Sequence, residues 1–237
     1  MIFVGPVVNA LVVLIAGLAG SFLRRGIPEK MITAIGHGLG VSVLIIGIRG
    51  AIKSVTASPA IDGYIEIITV VCVVLGAVIG ELIDIDKWMN RLGDFLQKKI
   101  GGFATNSRVG EGFVSCTTIC CIGAWAITGS MESAVGNPNS LFVKAVVDGV
   151  TALVLATTLG WGVSLSSLSL LIYQGGFTVL FYFAGAVIPA AAMQAMGIVG
   201  SLLIVMVALN FLGIMRIRVA NFIPAVFLPI LASLFFA

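Results

Sequence analysis

From Gly149 to Met215 the chain carries no lysine, arginine, aspartate or glutamate. Soluble domains interrupt their apolar runs with charge, which makes up about a quarter of their residues. An uncharged interval this long is stable only with hydrocarbon as its solvent, where backbone N–H and C=O groups must be paired inside helices. It is too long for one or two crossings, and turn signals at Gly160-Trp161-Gly162 and Pro189 divide it. Composition extends the reading to the whole chain: 59% of residues are hydrophobic, 10% are charged, and the mean hydropathy is +1.18. The excess of glycine suits close helix packing in a bilayer.

The pattern predicts an all-α fold, a polytopic transmembrane helical bundle forming a single domain over 1–237. About eight spans are expected, at 2–23, 34–52, 64–83, 112–131, 141–161, 165–187, 195–214 and 219–236. Seven is the alternative, if one segment is re-entrant. Residues 26–33 and 53–63 read as loops. Met1 is followed directly by apolar residues without a basic leader, so the first segment is expected to remain as a span. Segment 84–100 differs. Ile85, Trp88, Met89, Leu92, Phe95, Leu96 and Ile100 recur at helical spacing, with Lys87, Arg91, Asp94, Lys98 and Lys99 mostly on the other face. That is an interfacial amphipathic helix, a brace on the membrane surface.

Basic residues set the orientation. Arg24, Arg25 and Lys30, then Lys87 to Arg108, then Arg216 and Arg218 fall on one side when eight spans are counted, so that side is cytoplasmic. Both termini are then outside; Arg49 and Lys53 lie on the opposite side and count against this. Two stretches share an order of motifs. Leu18-Ala19-Gly20, Ile27-Pro28 and a glycine-rich span match Phe183-Ala184-Gly185, Ile188-Pro189 and a glycine-rich span. Because one copy would run inward and the other outward, the match describes an inverted repeat, a signature of transporters; chance likeness between glycine-rich helices is the competing account.

Lys144 and Asp148 are the charges at the head of the long apolar interval. Four residues apart, they share a helix face. A charge at the centre of a membrane helix costs at least about 2.5–3.5 kcal/mol, so it is expected to face protein or water. With a helix beginning near Ser140, Lys144 lies only about 6 Å inside and has a stem long enough to snorkel to the headgroups, so a structural and a functional role both stand. Asp148 lies about 12 Å in on a short stem, which favours function.

Glu81 follows Gly76-x-x-x-Gly80, a helix-packing motif. It reads as a carboxylate at the cytoplasmic edge, either a vestibule residue or a solvated partner of Lys87. Thr117 and Ser130 supply hydroxyls to the weakly hydrophobic fourth span, for interhelical bonds or a polar path. Asn210 and Asn221 either join helices or offer carbonyl oxygen to an ion. His37 reads as interfacial, and Arg49 as snorkelling or paired with Glu66. Cys116 and Cys120 share a face, but two thiols do not complete a soft-metal site. No metal, no cofactor and no disulfide framework is expected from the four cysteines. A net charge of +3, dispersed along the chain, does not suggest nucleic acid. There is no phosphate-cradling loop and no Ser/His/Asp set with a usable histidine, so an enzyme is not expected.

Leu75-Gly76 through Gly80-Glu81, Cys121-Ile122-Gly123 through Gly129-Ser130, Leu141-x-x-Lys144 through Asp148-Gly149 and Asn221-x-Ile223-Pro224-Ala225 occur in that order. This pattern, over most of the chain, resembles the YqgA/YdfK-like family of bacterial membrane proteins. The resemblance implies an integral, multi-pass protein of the cytoplasmic membrane and carries no catalytic assignment with it. The residues themselves favour a small secondary transporter or permease for a small solute or ion, with Asp148 as its carboxylate and Lys144 as counter-charge. The alternative is a non-transporting scaffold or regulator in which the pair only ties helices together, and an intramembrane enzyme ranks below both. The lipid bilayer is the expected partner, and a homo-oligomer is compatible with these features.

Overall fold

A computed structural model describes residues 2–23, 27–56, 65–88, 91, 95, 108–121, 124–185 and 188–233. Among them the regular structure is helical throughout: α1 Val4–Phe22, α2 Glu29–Thr56, α3 Ile65–Ile83, α4 Arg108–Cys121, α5 Ala124–Ala134, α6 Asn139–Leu159, α7 Ser166–Gly185, α8 Ala190–Phe211 and α9 Ile223–Ser233. Two 3-10 turns, Trp161–Leu165 and Val219–Phe222, precede α7 and α9. Six helices are long and apolar enough to cross a bilayer, and α4 with α5 makes up to seven. The polytopic helical bundle is therefore what the chain forms.

The span limits differ from expectation where helix and hydrocarbon end at different places. The expected loop over 26–33 gives way to helix at Glu29, because the Pro28 carbonyl accepts the N–H groups of Met31 and Ile32. A proline at a helix start loses no bond. The 28 residues of α2 are about 42 Å long at 1.5 Å per residue, so Glu29, Lys30 and Lys53 sit on turns beyond a 30 Å core. The fourth expected span, 112–131, is not continuous: the axes of its two helices differ by 65° across Ile122-Gly123, which lie outside the described residues. The eighth, 219–236, is a short apolar helix behind a 3-10 turn, with Pro229 inside it and 234–237 outside the described residues. In the amphipathic segment, 85–88, 91 and 95 are helical, Trp88 and Phe95 are exposed, and the Arg91 guanidinium lies 5.5 Å from the Trp88 ring centre. The rest of 84–100 lies outside the described residues apart from Asp84, whose φ of 55° ends α3.

The chain forms two compact units, each drawn from both halves of the sequence. The first comprises Met1–Ile35 and Trp88–Tyr182. In it α1 lies along α6, and the two run parallel: Gly5 meets Leu141, Val12 meets Gly149, and Gly20 meets Leu153 and Ala156. Glycine at these points lets the backbones close, as membrane helix pairs require. Val13, Cys116, Cys120, Cys121, Ala152, Ala156, Val163 and Leu170 form its apolar core. Gly160, at φ 78°, ends α6 in a conformation that suits glycine, and the 3-10 turn that follows packs on α1 and α4.

The second unit comprises Gly36–Lys87 and Phe183–Ala237. Here α3 receives α9 antiparallel, Gly76 against Ala225 and Gly80 against Asn221. Likewise α2 meets α8 antiparallel, Gly40 against Leu212 and Gly47 against Val205, and the Gln194 amide donates to the Ser54 carbonyl at 2.7 Å. Thus α2 and α8, the glycine-rich helices that follow Pro28 and Pro189, run in opposite senses. The outward faces are apolar: Ile45 and Ile52 on α2, and Ile67, Val70, Val74 and Leu82 on α3, are exposed. Such a surface belongs in lipid.

Candidate functional site

Lys144 and Asp148 stand one turn apart on α6, on the face turned into the first unit. Each is only 5% exposed. Lys144 Nζ lies 2.5 Å from Asp148 Oδ2, and it also donates to the carbonyl of Cys120 at 2.8 Å. The lysine therefore does not snorkel. Cys120 is the penultimate residue of α4, among the last four whose carbonyls have no partner within their own helix. That helix end carries the negative pole of the backbone dipole, which favours a cation. The ammonium thus closes the broken end of α4 while it pairs with the carboxylate.

Two further helices complete the arrangement. Asn9 on α1 donates its Nδ2 to Asp148 Oδ2 at 2.8 Å and to Gln174 Oε1 on α7 at 3.1 Å. Asn9 and Gln174 are both fully buried. Asn9 Oδ1 and Gln174 Nε2 are buried without a hydrogen-bond partner among the described residues. Both bonds to Asp148 converge on Oδ2, and Oδ1 takes neither. An unpaired amide atom in an apolar interior costs about 1–3 kcal/mol, so two beside a buried ion pair mark groups able to bind something else.

The other expected residues have separate places. Thr117 on α4 is half-buried, its hydroxyl unpartnered among the described residues. Ser130 is buried and donates to the Ala126 carbonyl of its own helix at 2.7 Å. Cys116 and Cys120 bring their sulfurs to 3.8 Å, and the Ser166 hydroxyl lies 3.0 Å from Cys116 Sγ. No group of three or more metal-ligating His, Cys, Asp or Glu side chains occurs among the described residues.

Glu81 and Asn210 belong to the second unit. Glu81 pairs not with Lys87 but with Arg218, at 2.7 Å, and Arg218 also reaches Asp84 at 3.5 Å; all three are solvent-accessible. Asn210 spends both ends of its amide on the backbone of Ile217, at 2.8 Å each, fastening the turn after α8. Asn221 is fully buried and accepts the Asp86 N–H at 2.7 Å, so it caps the first turn of the amphipathic segment. Arg49 and Glu66 are exposed and make no ion pair among the described residues, and His37 is exposed too.

Sequence reading missed Asn9, Gln174 and the Arg218 cluster. The available signal was a lone amide in an otherwise apolar span: Asn9 in 2–23 and Gln174 in 165–187. No solved structure matches the chain. It is 24% identical over 226 residues to the Bacillus subtilis (strain 168) "Uncharacterized membrane protein YdfK", covering 95% of this chain and 93% of the relative. It is 30% identical over 233 residues to the Escherichia coli (strain K12) "Uncharacterized protein YqgA", covering 95% and 94%. With residues 4–234 matching the family described as "Protein of unknown function (DUF554)", this chain belongs to that family.

Proposed function

We propose that the chain is a secondary transporter or channel-like permease for a small solute or ion in a bacterial cytoplasmic membrane. The observation that carries this is the Lys144–Asp148 pair, buried in a span and bonded to the open end of a discontinuous helix. Helices broken inside the membrane are tolerated where they line a site, and carbonyls at half-helix C-termini are the usual ligands of coupling ions. A solute or ion that engages Asp148 competes with Lys144, which is then held by the end of α4 alone. Binding thereby biases the junction between α4 and α5, the kind of element that alternating access needs.

Orientation follows from the basic loops: Glu81 and Arg218 at a cytoplasmic entrance, both termini outside. The test begins with a screen for solutes that raise the melting temperature of the purified protein, followed by uptake of each hit into proteoliposomes. Asp148→Asn is expected to abolish uptake while membrane insertion is retained. Uptake at the wild-type rate in Asp148→Asn overturns the assignment. One observation favours a scaffold instead: each member of the pair has two hydrogen bonds and almost no exposure. A scaffold keeps its cellular function when the charges are exchanged, Lys144→Asp with Asp148→Lys, and no solute shifts its melting.

A further inference from the structure

We propose that Asp148, Asn9 and the end of α4 form a binding site for a small alkali cation of the sodium class, which the Lys144 ammonium occupies as a tethered competitor. The inference deepens the transport reading by naming the coupling ion, and it rests on that reading for its purpose.

Lys144 Nζ is itself a monovalent cation held by two oxygens. Its oxygen partners are a carboxylate, Asp148 Oδ2, and a carbonyl at a helix C-terminus, that of Cys120. The second, independent observation is Asn9 Oδ1, an acceptor on a fully buried side chain that has no donor among the described residues, on the amide that already touches Asp148. Hard cations take oxygen ligands, and the network holds a carboxylate oxygen and a main-chain oxygen on Lys144, with the Asn9 amide, whose Nδ2 bonds Asp148, carrying a third. Thiols are the competing ligands nearby, but Cys116 and Cys120 form only a pair and favour soft metals. Charge selects the valence: with Lys144 still beside the one carboxylate, a monovalent ion leaves one excess positive charge and a divalent ion two, which a low-dielectric interior tolerates far less. When the ion takes Asp148, the Lys144 charge remains on the Cys120 carbonyl, where the negative pole of α4 holds it. No ligand has to enter a large cavity. The ion replaces one ammonium–carboxylate contact and uses the Asp148 and Asn9 oxygens left free.

The experiment is thermal unfolding of the purified full-length chain in lipid nanodiscs, with sodium chloride replacing choline chloride at constant ionic strength and potassium chloride as a second series. The expected result is saturable stabilisation by sodium in the wild type, stronger than by potassium. Asn9→Ala is expected to raise the half-saturating sodium concentration, and Lys144→Met to lower it by about tenfold, the effect of removing a competitor worth roughly 1.4 kcal/mol. A melting temperature indifferent to sodium overturns the proposal. So does stabilisation equal for sodium, potassium and choline, or a half-saturation that neither substitution moves. The outcome is separable from that of the uptake assay: a protein that transports through Asp148 but ignores sodium loses this inference alone. One that binds sodium at Asn9 and Asp148 but moves no solute loses the transport reading alone.

Discussion

At the residue scale, the decisive fact is that Lys144 and Asp148 are held away from water by three other helices. A buried pair gains little net stability over a well-packed apolar pair, but deleting one partner strands the other charge, which costs about 3–5 kcal/mol. Lys144→Met alone is therefore expected to lower unfolding stability by about that amount in a denaturant titration, whereas adding Asp148→Leu to it should recover most of the loss. A double variant as unstable as the single one would mean that packing around α6, and not the stranded carboxylate, sets the cost. The pair was legible in the sequence because spacing of four on a helix is a local property. Its setting was not. Asn9 and Gln174 are 165 residues apart, and which buried amide meets which carboxylate is decided by helix packing rather than by any pattern along the chain. The place of Lys144 is hidden for a related reason: depth along a helix says nothing about which side faces protein, and it is the Cys120 carbonyl that holds the ammonium inside.

At the element scale, glycine separates contact from mere composition. A Cβ on Gly80 would overlap the Asn221 carbonyl, a backbone atom that cannot rotate away, whereas Gly38 on α2 has nothing within 4 Å. Gly80→Ala should destabilise by about 1–3 kcal/mol, because the α3 and α9 backbones must separate. Gly38→Ala should stabilise by up to about 1 kcal/mol through helix propensity alone. Parallel denaturation curves of the two variants check this, and equal effects would show that α3 and α9 do not meet through these glycines. The separation also dislodges Asn221 from the Asp86 N–H, so Gly80→Ala should loosen the start of the amphipathic segment. Gly76-x-x-x-Gly80 could be read as a packing motif in the sequence, but its partner could not. Helix limits were less legible. Hydropathy measures the thickness of hydrocarbon, so the charged first and last turns of α2 looked like loop, and the bend between α4 and α5 looked like one weak span. Ser115, Thr117, Thr118 and Gly123 dilute the apolar signal in that segment without revealing that the helix stops.

At the scale of the whole molecule, helix direction decides the number of crossings. Because α1 and α6 run parallel, an odd number of crossings must separate them. Among the described residues α2 and α3 supply two, which makes α4 with α5 the third, acting as one broken span; a re-entrant pair would make α1 and α6 antiparallel. The antiparallel contacts of α2 with α8 and of α3 with α9 each require an even number of crossings between them. The broken span, α6 and α7 supply part of that count, with α3 or α8 completing it in the respective case. The remaining question is α9, whose apolar stretch over 219–232 is shorter than a bilayer is thick. In the orientation proposed from the basic loops it runs outward from Arg216 and Arg218, and it brings the count to eight crossings if it spans. Alkaline phosphatase fused after Ala237 is then expected to be active, and a fluorescent protein fused after Arg218 to be bright. If the fusion after Ala237 is also cytoplasmic, α9 turns back within the membrane and the count is seven. The distinction bears on the site. Asp148 stands about 14 Å along α6 from its start at Asn139, near the middle of a 30 Å core. A carboxylate at that depth is reachable from either side only by a path through protein. Cysteine introduced at Val12, opposite Gly149, should therefore react with a small membrane-impermeant thiol reagent in the presence of a transported solute and stay protected without it, in a background where Cys72, Cys116, Cys120 and Cys121 have been replaced by alanine. Protection in both conditions would mean that the pair is sealed within the bundle and serves to hold it together.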